Sequence, residues 1–503
     1  MSRSMSSSLD VEGSRGFDEK RSPHALPEGS QWSRGGGYVH RWTRRMLTWG
    51  VESRGIQPVA PEQRTDTQFS KIFFIFFSMN ANILSFSAGT LGPVVFGLGV
   101  RDSCLVILFF NLLCCALPAY FTTWGPKLGM RQMISARYSF GFYGVIIPCI
   151  LNLIVMIGFC VLNSILGGQA LASVNGKLSW TVGIVIVDVI SLLVSFCGYK
   201  LLNWYEKVAW IPVLVSFVVA LGAGGKHLSS PPPAEPATAA TILGFASTIA
   251  GFVVTYSPLS SDFTIYMRPN VSSWRIFAYS YLGFLLPIVT LQCLGAAVAV
   301  AASSVPDWDA GYTGGNVGGL LEAMLHPTKG FGKFLTVLLS LSVTANIAAT
   351  FYSITLNCQV FIPPLVVVPR YVFSLVVTAI VIPLAIVGST RFYETLTNFL
   401  GLISYWASAF AAIILMEHLV FRRNDPDQYS VKHWNVPRCL PSGVAAVAAG
   451  VMSFGLVVPS MEQVWFVGPI GKNTGDIGFE VAFALSAVLY IPFRALELRL
   501  WKY

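Results

Sequence analysis

Few residues in this chain can do chemistry, and they sit at helical spacing inside long apolar runs. Asn163 closes the stretch Phe159-Cys-Val-Leu-Asn163, and Asn346 and Thr350 lie in Val343-Thr-Ala-Asn-Ile-Ala-Ala-Thr350. Phe159/Asn163 and Asn346/Thr350 are each four residues apart, so each pair shares one helix face. A carboxamide offers two donors and an acceptor, the complement of an amide-bearing ring edge such as that of a nucleobase. Two uses are open to such amides in an apolar setting: joining neighbouring helices, at about 1 kcal/mol each, or facing a ligand. Phe159 and Tyr256 fall at depths where they could sandwich a planar ring, a stacking worth about 1–3 kcal/mol per base. Asp188, in mid-run, and Asp262 are the acids placed to carry a proton, or else to serve as satisfied structural acids. Glu417 and His418 lie near a run's end and are expected to snorkel. No His/Asp or Cys/His constellation at a membrane face suggests an enzyme, and no cofactor or metal site is expected.

The elements that must position these groups are set by composition. Of 503 residues 54% are hydrophobic and 11% charged, against roughly 25% charged for a soluble domain, so the surface must meet lipid. The net charge of +9 is spread over a basic N-terminal stretch and short loops, which argues for membrane orientation and against a nucleic-acid partner. The nine cysteines lie mostly within apolar runs and read as small buried hydrophobes.

Residues 1–70, rich in Ser, Gly and Arg, read as a largely disordered cytosolic tail; residues 71–503 form the transmembrane domain. Twelve apolar stretches are long enough to span about 30 Å of hydrocarbon: 72–98, 103–124, 140–171, 179–197, 208–224, 240–261, 277–302, 334–360, 371–389, 396–420, 441–460 and 477–495. With the tail inside, Lys and Arg concentrate in the inward loops (Lys127, Arg131, Arg137, Arg268, Arg275, Arg370), which puts both termini in the cytosol. The first span carries Ser85-Phe-Ser-Ala-Gly-Thr-Leu-Gly-Pro93 and the sixth Tyr256-Ser-Pro-Leu-Ser-Ser-Asp262. Gly and Pro at matched depth predict two discontinuous helices. That is the pattern of an inverted-repeat transporter with a midplane site, two ordinary proline kinks being the alternative.

The runs Arg54-Gly-Ile-Gln-Pro-Val59, Asn82-Ile-Leu-Ser-Phe-Ser-Ala-Gly-Thr-Leu-Gly-Pro93 and Gly125-Pro-Lys-Leu-Gly-Met-Arg-Gln-Met133 resemble the fungal purine-cytosine permeases of the nucleobase-cation-symport-1 family. So do Ala136-Arg-Tyr-Ser-Phe-Gly141, Asn163-Ser-Ile-Leu-Gly-Gly-Gln169 and Arg494-Ala-Leu-Glu-Leu. The resemblance implies an all-α polytopic fold with twelve transmembrane helices, a LeuT-like five-plus-five inverted-repeat core and two C-terminal helices. It also implies proton symport of a nucleobase across the plasma membrane, with the substrate between spans 1, 3, 6 and 8. By position, Ser85 and Asn163 match the family's substrate-contacting Ser and Asn. Phe159 and Tyr256 stand where purine-cytosine members carry Trp, and Asn346-Ile-Ala-Ala-Thr350 replaces their Asn-Asn-x-Pro-Asn. Relatives that carry allantoin, thiamine or pyridoxine make a vitamin-like ring the alternative cargo; a non-transporting sensor is the remaining one.

Overall fold

The computed structural model describes residues 55–196, 208–229, 231–362, 365, 368 and 370–501; the tail expected over residues 1–70 therefore lies outside the described residues up to residue 54. From residue 56 the chain is held down. Val59 N donates to Gly129 O (2.8 Å), Arg64 Nη1 to Pro126 O (2.6 Å), and Asp66 pairs by a parallel bridge with Met267.

Helix follows helix from there: α1 (Phe69–Asn80), α2 (Ile83–Phe96), α3 (Val100–Leu128), α4 (Gln132–Gly144), α5 (Ile146–Val174), α6 (Trp180–Phe196), α7 (Trp210–Gly224) and α8 (Ala239–Val254). The chain continues through α9 (Ser273–Ala302), α10 (Pro306–Tyr312), α11 (Val317–Leu325), α12 (Gly330–Phe361), α13 (Arg370–Gly388), α14 (Phe392–Met416), α15 (Val444–Ser460) and α16 (Gly478–Leu500). Each predicted apolar stretch falls on one of these helices or on the bent pair α1–α2, so the all-α polytopic fold is as expected. A two-residue β-hairpin, Glu462–Gln463 against Phe466–Val467, turns the chain between α15 and α16.

Backbone groups in hydrocarbon must be satisfied within the protein, so irregular backbone is confined to places buried in protein or lining a cavity. The first break is such a place, but it lies earlier than the Gly/Pro run predicts. α1 and α2 meet at a 55° bend across Ala81 and Asn82, whereas Ser85–Pro93 is continuous helix. Asn82 makes the break by capping α2: its Oδ1 accepts from Leu84 N and Ser85 N at 2.9 and 3.1 Å, satisfying donors that a new helix start exposes. The glycines of the run serve packing instead. A Cβ at Gly89 would stand 1.9 Å from Gln292 O, and one at Gly295 would stand 2.0 Å from Phe86 O, so α2 and α9 approach as bare backbones do in membranes. The second irregular stretch is where it was expected, but no second half-helix follows it: α8 ends at Val254 and the chain runs on as turns and one 3₁₀ turn, Ser260–Phe263, before α9 begins at Ser273.

Glu417 and His418 do not snorkel. They are 0% and 3% exposed, in a π-turn at the end of α14. Arg494 of α16 donates to both Glu417 oxygens (3.0 and 3.3 Å) and to Glu497 (2.9 Å), Tyr490 OH donates to Glu417 (2.7 Å), and Arg422 closes the group at 3.1 Å. Isolated charges at this depth would be prohibitive; mutual pairing makes them tolerable.

Candidate functional site

A tight cavity of about 30 Å³ lies where the first break, α5, the second break and α12 converge. Met79 of the first break, Phe159 of α5, Thr255, Tyr256 and Leu259 of the second break, and Asn346, Thr350 and Ser353 of α12 line it. Helix periodicity explains the convergence: on α12, residues 346, 350 and 353 recur at steps of four and three and so face one way.

Hydrogen bonds tie the walls to the breaks. Tyr256 OH donates to Asn80 Oδ1 (3.1 Å), joining the two broken segments directly. Asn346 Nδ2 donates to Met79 O (2.9 Å), a carbonyl at the bend, and Asn346 Oδ1 accepts from Asn163 Nδ2 (3.1 Å). Asn163 Nδ2 also donates to Phe159 O (2.8 Å), while its Oδ1 is buried without a partner. Thr350 Oγ1 donates to Asn346 O (2.7 Å) within its own helix. An acceptor in hydrocarbon with no donor costs about 1–3 kcal/mol, which a ligand N–H would remove.

Four of the six predicted binding residues, Phe159, Tyr256, Asn346 and Thr350, therefore share one cavity, and Asn163 is bonded to its wall. Ser85 is not among the lining residues: it is fully buried and its Oγ donates to Asn80 O (2.5 Å), serving the bend. The two acids lie apart from the cavity. Asp262 lines a second, smaller cavity and its Oδ1 accepts from Gln132 N (2.8 Å), while Arg131 Nη1 donates to the Asp262 carbonyl (3.0 Å). Asp188, 1% exposed on α6, takes the Ser164 hydroxyl at 2.5 Å on one oxygen and leaves the other unpartnered. Met79, Thr255 and Ser353 were missed by sequence reasoning. The helical step from Thr350 to Ser353 would have found the last of them.

A multi-pass α-helical membrane transporter, with two irregular stretches meeting at a polar and aromatic cavity, is the class that this fold and site define. A family described as permeases for cytosine/purines, uracil, thiamine and allantoin matches residues 58–468. The chain is 35% identical over 455 residues to the purine-cytosine permease fcyB of Emericella nidulans, covering 89% of each chain. It is 30% identical over 516 residues to the vitamin B6 transporter TPN1 of Saccharomyces cerevisiae, covering 91% of this chain and 89% of the other. Among solved structures, Mhp1, a nucleobase-cation-symport-1 family transporter in a closed conformation with bromovinylhydantoin bound, matches with a TM-score of 0.68. At 17% identity, covering 89% of this chain and 96% of that one, this likeness shows the fold. The chain belongs to the family of permeases for cytosine/purines, uracil, thiamine and allantoin. It is a membrane permease and not an enzyme.

Proposed function

We propose that the chain is a secondary active, proton-coupled transporter of a planar nucleobase-like heterocycle, working at the plasma membrane with both termini cytosolic. The observation that carries the cargo class is the central cavity. Phe159 and Tyr256 offer ring faces, and Asn346, held by Asn163, offers an amide in the cavity wall. A second reading, a vitamin-like ring such as pyridoxine, is favoured by Thr350. Its hydroxyl is committed to Asn346 O where a carboxamide would reach the ligand, and buried polar groups discriminate between ligands far more steeply than apolar ones. The 30% identity to a vitamin B6 transporter supports the same reading.

Labelled cytosine, adenine and pyridoxine, offered to a host lacking its own permease, decide between the two readings. Binding without accumulation of any of them would point to a sensor. Proton coupling rests on Asp262, beside the unwound segment, with Asp188 as the second candidate. Uptake should fall as external pH rises, because the proton gradient shrinks, and collapse with a protonophore. Uptake that follows sodium and ignores the protonophore removes the coupling claim. Asp262→Asn should reach the membrane but lose accumulation; normal accumulation transfers the role to Asp188. Antibody reaching a tag at either terminus in intact cells would reverse the orientation.

A further inference from the structure

The walls of the central cavity repeat themselves one stage further along the protein. On α5, Asn152 and Asn163 are eleven residues apart, and on α12 so are Asn346 and Asn357. Eleven residues are close to three full turns, so each pair of amides shares a helix face about 16 Å apart. The helices run antiparallel, so Asn163 meets Asn346 while Asn152 meets Asn357 at the other end.

The wiring of the two pairs is the same. In each, the α12 amide nitrogen donates to a backbone carbonyl: Asn346 to Met79 O (2.9 Å) and Asn357 to Cys149 O (2.5 Å). A carbonyl only accepts, which fixes the amide orientation. The α12 oxygen must therefore take the α5 amide nitrogen, at 3.1 Å from Asn163 and 3.4 Å from Asn152. That leaves Asn163 Oδ1 and Asn152 Oδ1 both buried and without a donor. Asn152 is 2% exposed and lines the second cavity, about 10 Å³ as the chain stands, with Asn357, Arg131 and Asp262. Leu259 and Ser353 line both cavities, so the unwound segment after α8 is the partition between them.

We propose that the second cavity is a binding subsite for the transported heterocycle on its way to the Arg131 face, with Asn152 Oδ1 accepting a ring N–H. This deepens the transport reading and rests on it. The ring passes from one amide pair to its duplicate across Leu259 and Ser353, and leaves beside Arg131 and Asp262.

The test is stoichiometry and kinetics on the full chain, with labelled adenine and labelled pyridoxine as probes. Purified wild-type protein should bind two molecules of the transported probe per chain at saturation, and Asn152→Leu one. In cells, Asn152→Leu should lower maximal uptake about fivefold, the worth of one neutral hydrogen bond, with the external half-saturation concentration unchanged within about twofold. One molecule per wild-type chain overturns the subsite and leaves the cavity to water. That measurement needs no variant, so the proposal stays exposed even if Asn152→Leu does not reach the membrane. An Asn152→Leu protein with unchanged maximal uptake overturns it as well. If neither probe enters cells saturably, the transport reading itself falls, and the subsite with it.

Discussion

The seam between α5 and α12 and the ion-paired cluster around Glu417 treat buried polar groups in opposite ways. Around Glu417, Arg494 and Glu497 the charges are matched: Glu497 Oε1 additionally takes the Ser442 hydroxyl and the Gly443 amide. Along α5 the buried amides of Asn152 and Asn163 use their nitrogens and leave their oxygens open, while the α12 amides they meet are bonded at both ends. A closed network holds one geometry, while an open one waits for a partner. A buried amide with an open oxygen is a group that a ligand can complete; a closed network is not.

The comparison can be broken or sharpened by substitution. The largest effect belongs to the closed network. Arg494→Leu leaves Glu417 and Glu497 without their shared cation, and stranding a buried charge costs about 3–5 kcal/mol. The variant should be lost from the membrane, as read by surface abundance of a tagged protein. Normal abundance would show that the network is not what holds α16 in place. Next comes the seam. Asn346→Ala should reach the membrane in normal amount yet weaken half-saturation of uptake by roughly 5- to 150-fold, the worth of about 1–3 kcal/mol. If abundance falls instead, this amide is framework and the contrast fails. The smallest effect is a gain. Ile347→Asn, Ala349→Pro and Thr350→Asn together restore the purine-cytosine form of the segment and should raise affinity for cytosine or adenine by about tenfold or less. Low-micromolar uptake of these bases by the unmodified protein, with no gain from the triple change, would show that Thr350 never limited specificity.

Hydropathy made the apolar helices legible, because about 30 Å of lipid demands a length of apolar helix that no other signal imitates. Spacing made Phe159, Asn163, Asn346 and Thr350 legible for the same local reason: four residues return to one face. The first break was misplaced because Gly and Pro were taken as breakers. In a membrane Gly89 and Gly92 are as useful for close packing, and the actual break is written in Asn82, a capping residue whose effect depends on which amides lie free beside it. Ser85 was assigned by its match to the family and faces the bend, a distinction that only the fold around Asn80 reveals. Glu417 could not be read from the chain because its partner Arg494 is far away in sequence. Asn152 and Asn357 were readable in principle, by the same step of eleven on two helices, but such a step carries meaning only once the two helices are known to be neighbours.

The bond from Asn346 Nδ2 to the Met79 carbonyl has a structural corollary. A side chain that lines the central cavity also pins the elbow between α1 and α2, so an exchange at position 346 alters the cavity wall and the hold on the elbow together. Thr350 bonds only within its own helix, to the Asn346 carbonyl and side-chain oxygen, so its reach to the elbow is indirect. Wall and hinge coincide at position 346 and part company one helical turn later.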